Sequence, residues 1–253
     1  MIDVRKLKYF YYSQNSLNTF YKCPLKFKLK YIDNMSWRND SPMDRGYNEG
    51  IKLGLDFHLM CERYFSDIPL GNCVDNSVIL NWVKALKDRF ILQKDYIYLP
   101  EYEIKMKKKS IRLQAKYDLI IITPEGRVEI WDWKTENRKL SLKEMEQRFQ
   151  TMVYMYVLKE EIKNLFNIDI IAENIKMFFW QPLYADDIIA ISYSGEKHTA
   201  NEIGIEMIIK TIDNYNFLKD FNKTLYYKNC RFCEFNYFCN NETVNFNFLE
   251  EYT

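Results

Sequence analysis

The chain has 253 residues, 47% of them hydrophobic and 28% charged, and its 36 basic and 35 acidic side chains leave a formal net charge of +1. That is ample for a buried core, and no run approaches the roughly 18 apolar residues of a membrane span. A near-zero charge excludes a global basic field, so any contact with nucleic acid must come from a local groove. The polar start MIDVRKLKYFYYSQNS lacks an apolar leader segment, so a cytoplasmic protein without a membrane partner is expected.

In chain order, Ser16 is placed to cap a helix beginning at Leu17, with Leu17, Phe20 and Tyr21 at helical spacing, and Pro24 directly after Cys23 should break or restart it before Phe27 to Tyr31. Asn34 to Arg45 reads as a polar connector. Gly50 to Phe65 reads as a helix on which Gly50, Gly54, His58 and Glu62 form one stripe. Asp75 to Leu92 is helical, with Val78, Trp82, Ala85, Leu86 and Phe90 on its apolar face. Three strand-forming runs follow, Tyr102 to Lys107, Ile111 to Ile122 and Arg127 to Thr135, separated by KKKS and TPEG. Ser141 and Glu144 fit a capping box for one long helix to Phe166. Strands over Ile175 to Trp180 and Ile188 to Tyr193, and a helix over Ala200 to Phe221, complete the order and predict a mixed α/β arrangement around one central sheet.

The segment VEIWDWKTENRK departs from ordinary strand chemistry. With a period of two, Ile130, Asp132 and Lys134 share one face while Glu129, Trp131 and Trp133 share the other. The loop Pro124, Glu125, Gly126 suits a three-residue hairpin with Gly126 left-handed. If Thr123 closes against Arg127, Asp118 lies directly opposite Asp132. Facing carboxylates repel unless something positive lies between them. A divalent metal is one answer, since hard cations such as Mg2+ take carboxylate oxygens, and Lys134 could then polarise a water or stabilise phosphate charge. A cross-strand Asp–Lys salt bridge on a wet face is the other.

Asp118 followed by Asp132-Trp133-Lys134-Thr135 resembles the PD-(D/E)xK nuclease superfamily, and in particular its RecB-like branch. Gly54 to His58 (GLDFH) is similar to that branch's G-x-x-x-H helix motif, and Gln150 to Tyr154 (QTMVY) to its Q-x-x-x-Y motif. Departures are Ala115 where a glycine is common and Tyr117 rather than proline before the first acid. The resemblance implies a restriction-endonuclease-like mixed sheet flanked by helices. It also implies Mg2+ or Mn2+ held by His58, Asp118, Asp132 and the Trp133 main-chain carbonyl, a catalytic role for Lys134, and DNA positioning by Gln150 and Tyr154. One domain over residues 1–253 is expected, with a helical front part about 13–95, a nuclease core about 100–195, and a C-terminal helix and cysteine motif about 199–240.

Of six cysteines, Cys230, Cys233 and Cys239 form C-x2-C-x5-C, which needs a fourth ligand to close a metal site. The resemblance supplies Cys23, because RecB-like nucleases with an iron-sulfur cluster join one N-terminal cysteine to three near the C-terminus. This implies a [4Fe-4S] cluster joining the two ends of the chain, with a four-cysteine zinc site as the alternative and Cys61 and Cys73 to spare. The expected function is a metal-dependent DNA exonuclease acting on single strands or DNA ends in recombination, repair, CRISPR adaptation or phage DNA processing. A helicase or CRISPR adaptation proteins are its implied further partners. The competing function is a non-catalytic DNA-binding or scaffold subunit of a helicase–nuclease complex.

Overall fold

The computed structural model describes residues 3–36, 42–70, 76–230, 233–236 and 239. A two-residue strand β1 (Tyr12–Ser13) leads into α1 (Gln14–Lys22). The cap is Ser13 rather than Ser16. Ser13 Oγ accepts from the Ser16 amide while Ser16 Oγ accepts from the Ser13 amide, so Ser16 takes the third helical position of a reciprocal box. Pro24 restarts the chain as α2 (Pro24–Phe27), followed by a π-helical turn over Lys28–Ile32. Helix α3 (Pro42–Phe65) begins inside the segment expected to be a connector, and α4 (Ser77–Arg89) is capped by Asn76.

Among the described residues, six strands form one mixed sheet: β1, β2 (Ile97–Lys108), β3 (Ile111–Ile122), β4 (Val128–Trp133), β5 (Ile175–Trp180) and β6 (Ile188–Ser192). The path β1-β3-β4-β5-β6 is parallel at β1–β3 and β4–β5 and antiparallel elsewhere, with β2 added antiparallel along β3. The TPEG hairpin closes as expected: the Thr123 amide donates to the Arg127 carbonyl at 2.9 Å, Gly126 has φ +77°, and Leu119 pairs with Trp131.

The expected long helix after Ser141 is two helices, α5 (Leu142–Glu146) and α6 (Phe149–Phe166). Ser141 caps α5, but the Glu144 carboxylate turns away to Arg138 and Arg148 instead of returning to complete the box. Helix α6 buries Val153 to Leu158 without interruption because the sheet covers one side and α1 and α7 (Gly195–Asn214) the other. The last helix thus starts and ends earlier than its apolar pattern suggests, capped by Ser194.

The sheet is the middle layer. A large core lies between it and α1, α6 and α7, while a smaller aromatic core of Phe57, Phe65, Trp82, Trp131, Trp133 and Trp180 lies under α3 and α4. Both faces of β4 are therefore covered, which explains why it carries two tryptophans and an isoleucine with no solvent face to set against them. Strands β2 and β3 change parity part-way. On β3 the large core receives odd residues up to Tyr117 and even residues from Ile120. On β2 the change falls around Glu101, a non-glycine residue at φ +49°. The ladder between the two strands skips Glu101 and Asp118 together and resumes in the same register.

Candidate active site

β3 changes partners along its edge: Leu119 to Ile122 pair with β4, and Leu113 and Gln114 pair with β1. Between the two ladders, among the described residues, no strand lies beside 115–118 on that edge, and the sheet opens into a notch. Asp118 stands at its corner. Its Oδ2 accepts the Trp133 amide at 2.7 Å, replacing the next ladder bond with a side-chain bond, and its Oδ1 lies 3.4 Å from His58 Nδ1. Burial works against the His58 imidazolium, but the hydrogen bond and charge of Asp118 outweigh it and hold the His58 pKa above its ordinary value.

His58 reaches the notch because α3 presses on the end of β4. A Cβ at Gly54 would meet Thr135 Oγ1 at 2.9 Å, so only glycine fits there, one helical turn before His58. Gly50 has open space around it and contributes nothing comparable.

Asp132 projects from β4 into the protein, 1% exposed. Its carboxylate is ion-paired with Lys134 and accepts from Gln150 Nε2, while Lys134 Nζ donates to Gln150 Oε1 at 3.2 Å. The Gln150 amide, from the first turn of α6, thus bridges the two charged groups. Burial pushes the Asp132 carboxyl up to about 6, Lys134 opposing and Asp118 reinforcing the shift. Lys134 itself is held above its ordinary value because Asp132 outweighs the burial that disfavours its charge. The ion pair that forms is thus buried and within one segment, Asp132 with Lys134, rather than a cross-strand pair on a wet face. Tyr154, one turn beyond Gln150, is 7% exposed and packs against Tyr117 with its ring tilted by 52°, and the Tyr117 hydroxyl donates to the Tyr154 carbonyl at 2.9 Å.

A residue that sequence reasoning missed completes the group. Glu101 Oε1 lies 3.9 Å from His58 Nδ1, and His58, Glu101 and Asp118 each offer one ligand atom with all three within 4.8 Å of one another. Extending the KKKS hairpin in register sets Glu101 opposite Asp118, so the signal was present in the strand pairing.

A family model of the PD-(D/E)XK nuclease superfamily matches residues 11–109 and 92–240. The chain belongs to that superfamily. Its fold is similar to the crystal structure of a Eubacterium rectale protein provisionally described as an exonuclease, with a TM-score of 0.51 and 11% identity over 81% of each chain. A looser likeness, TM-score 0.42 at 13% identity, covers 94% of this chain and 89% of SSO0001. No curated protein matches the chain. The mixed α/β sheet flanked by helices agrees with a restriction-endonuclease-like fold.

The nuclease also brings Cys23, Cys230, Cys233 and Cys239 to the wall of one cavity of about 280 Å³. Burial pushes the thiols of Cys23, Cys233 and Cys239 up. Bonds from Asn229 to the Lys22 carbonyl at 2.5 Å and between Lys26 and Glu234 fasten the two ends of the chain beside the cavity. Cys61 is buried on α3 away from this set, and Cys73 lies outside the described residues. Among the described residues no helix is long and apolar enough to cross a membrane.

Proposed function

We propose that this nuclease is a metal-dependent DNA exonuclease of the RecB-like branch, acting on single-stranded DNA or DNA ends. The observation that carries the reading is the convergence of His58, Glu101 and Asp118 beside a buried Asp132–Lys134 pair. The donor set suits a hard cation, being carboxylate oxygens and one imidazole. His58, Glu101, Asp118, Asp132 and the Trp133 carbonyl are the groups that would hold Mg2+ or Mn2+. A bound ion of this kind supplies an activated water and neutralises phosphate charge.

The chain's own side chains do the rest. Lys134, kept cationic by Asp132, presents a fixed positive charge to the phosphate undergoing attack, and needs no reorganisation to do so. Gln150 holds Asp132 and Lys134 in mutual orientation, and the Trp133 amide holds Asp118 facing His58. Tyr154 stands beside this group, where it can position the strand. The test is digestion of end-labelled single-stranded and duplex DNA with Mg2+, Mn2+ or EDTA. Stepwise loss from an end, dependent on metal, is expected. Absence of any cleavage with every divalent ion tried would overturn the reading.

We also propose that the four-cysteine cavity holds a [4Fe-4S] cluster. Thiolate is the ligand such clusters take, and the cavity lined by all four cysteines has room beyond a single ion.

A further inference from the structure

Beside the notch a second, smaller groove of about 230 Å³ runs between β3 and the start of α1, lined by Lys116, Gln114, Tyr154, Gln14, Asn15 and neighbours that include Glu103. It lies at the unpaired stretch of β3, with Gln114 paired to β1 at one end and Asp118 at the other. Lys116 is its one lysine. The side chain is 61% exposed, yet its ammonium is fixed 2.6 Å from Glu101 Oε2, the acid whose other oxygen faces His58. Lys116 and Asp118 are two residues apart on one strand, roughly 6.6 Å at the usual rise, the scale of one nucleotide step along an extended strand. The other carboxylate in the groove, Glu103, is paired with Lys105 at 3.4 Å, which offsets its charge. The remaining lining is amide, phenol and the Ser13 hydroxyl, able to bond sugar and phosphate oxygens without reading a base.

We propose that Lys116 and this groove bind the phosphate next to the one that is cut, so that the substrate strand runs from the Asp118–Asp132 centre across Lys116 toward the N-terminal end of α1. The inference rests on the nuclease reading for the identity of the strand, but its test does not depend on cutting.

The experiment measures fluorescence anisotropy of a labelled single-stranded oligonucleotide across a salt series in Ca2+, alongside cleavage kinetics in Mg2+. Lys116→Ala should weaken binding roughly tenfold and reduce the slope of log affinity against log salt by about 0.7, the share of one phosphate contact on a single strand. In cleavage KM should rise by the same factor with kcat within twofold. Lys116→Arg should restore both, and Lys84→Ala, an exposed lysine on α4, should change neither. Mn2+ affinity, followed by the spin resonance of the free ion, should be unchanged in Lys116→Ala. Unaltered affinity and slope would overturn the subsite, whether or not the wild type cuts DNA. So would a fall in kcat that tracks weakened Mn2+ binding, which would make Lys116 only a support for Glu101. A wild-type protein that binds DNA with the Lys116 dependence but never cleaves would leave the subsite standing and remove the nuclease activity alone.

Discussion

Lys134 and Asp132 illustrate how burial changes the meaning of an ion pair. On a surface the pair would be worth little, and Lys134→Ala would pass almost unnoticed in stability. Here the partner is 1% exposed, so removing the ammonium strands a buried carboxylate. Lys134→Ala should therefore cost about 3 kcal/mol in denaturant unfolding as well as activity. Unfolding within about 0.5 kcal/mol of wild type would show that Asp132 is solvated. Gln150→Ala, which removes the amide between them, should lower activity about 10- to 100-fold, as loss of a supporting partner does in metal sites. Wild-type kcat in that variant would show that the Gln150 bridge does not support the centre.

At the scale of elements, the approach of α3 to β4 is tested by its two glycines. Gly54→Ala must push the helix off Thr135, with an overpacking cost of about 1–3 kcal/mol and a loss of activity as His58 moves. Gly50→Ala meets no neighbour and should gain about 0.5–1 kcal/mol from helix propensity. Equal effects from the two changes would contradict the packing. The junction of α5 and α6 supplies a pH test. Arg138 and Arg148 hold Glu144 down at about 2, against an ordinary 4.5. A depressed carboxyl stabilises the fold above its unfolded pKa, so this contribution is complete above about pH 4.5 and fades as pH falls toward 2. Glu144→Gln should flatten the acid limb of the thermal-melting profile over that window, melting slightly below wild type at neutral pH and converging with it near pH 2, the difference being small because the groups are partly exposed. An identical acid limb in both proteins would remove the interaction.

Across the whole molecule, the cysteine cavity ties residues near the start of the chain to residues near its end. Anaerobically purified protein should carry iron and acid-labile sulfide, and Cys23→Ser should lose them and lower the melting temperature. Cys61→Ser should keep them. EDTA should stop cleavage without removing the cluster, because Mg2+ and Mn2+ prefer oxygen ligands and iron-sulfur units prefer thiolate. Stoichiometric zinc without sulfide would overturn the cluster and spare the nuclease.

Strands β3 to β6, the TPEG turn and the family motifs were legible in the sequence because they depend on neighbours a few residues apart: Gly126 at φ +77°, Leu119 against Trp131, Pro24 restarting a helix after Cys23; the two-residue β1 and the first five residues of β2 were not. The composition of the centre was only partly legible. Asp118, Asp132, Lys134 and His58 stood out by spacing and by likeness to a family, whereas Glu101 fell just outside the strand expected over Tyr102 to Lys107, which in fact begins at Ile97. Tertiary structure decided its place, because the paired change of parity in β2 and β3 turns Glu101 and Asp118 toward the same notch, and periodicity of two cannot encode a residue that breaks it. The cap at Ser13 and the break between α5 and α6 were hidden for a related reason. Ser13 and Ser16 are three residues apart and either hydroxyl could cap, and Glu144 can bond either back to Ser141 or to Arg138 and Arg148, so spacing alone does not choose between local partners of similar chemistry.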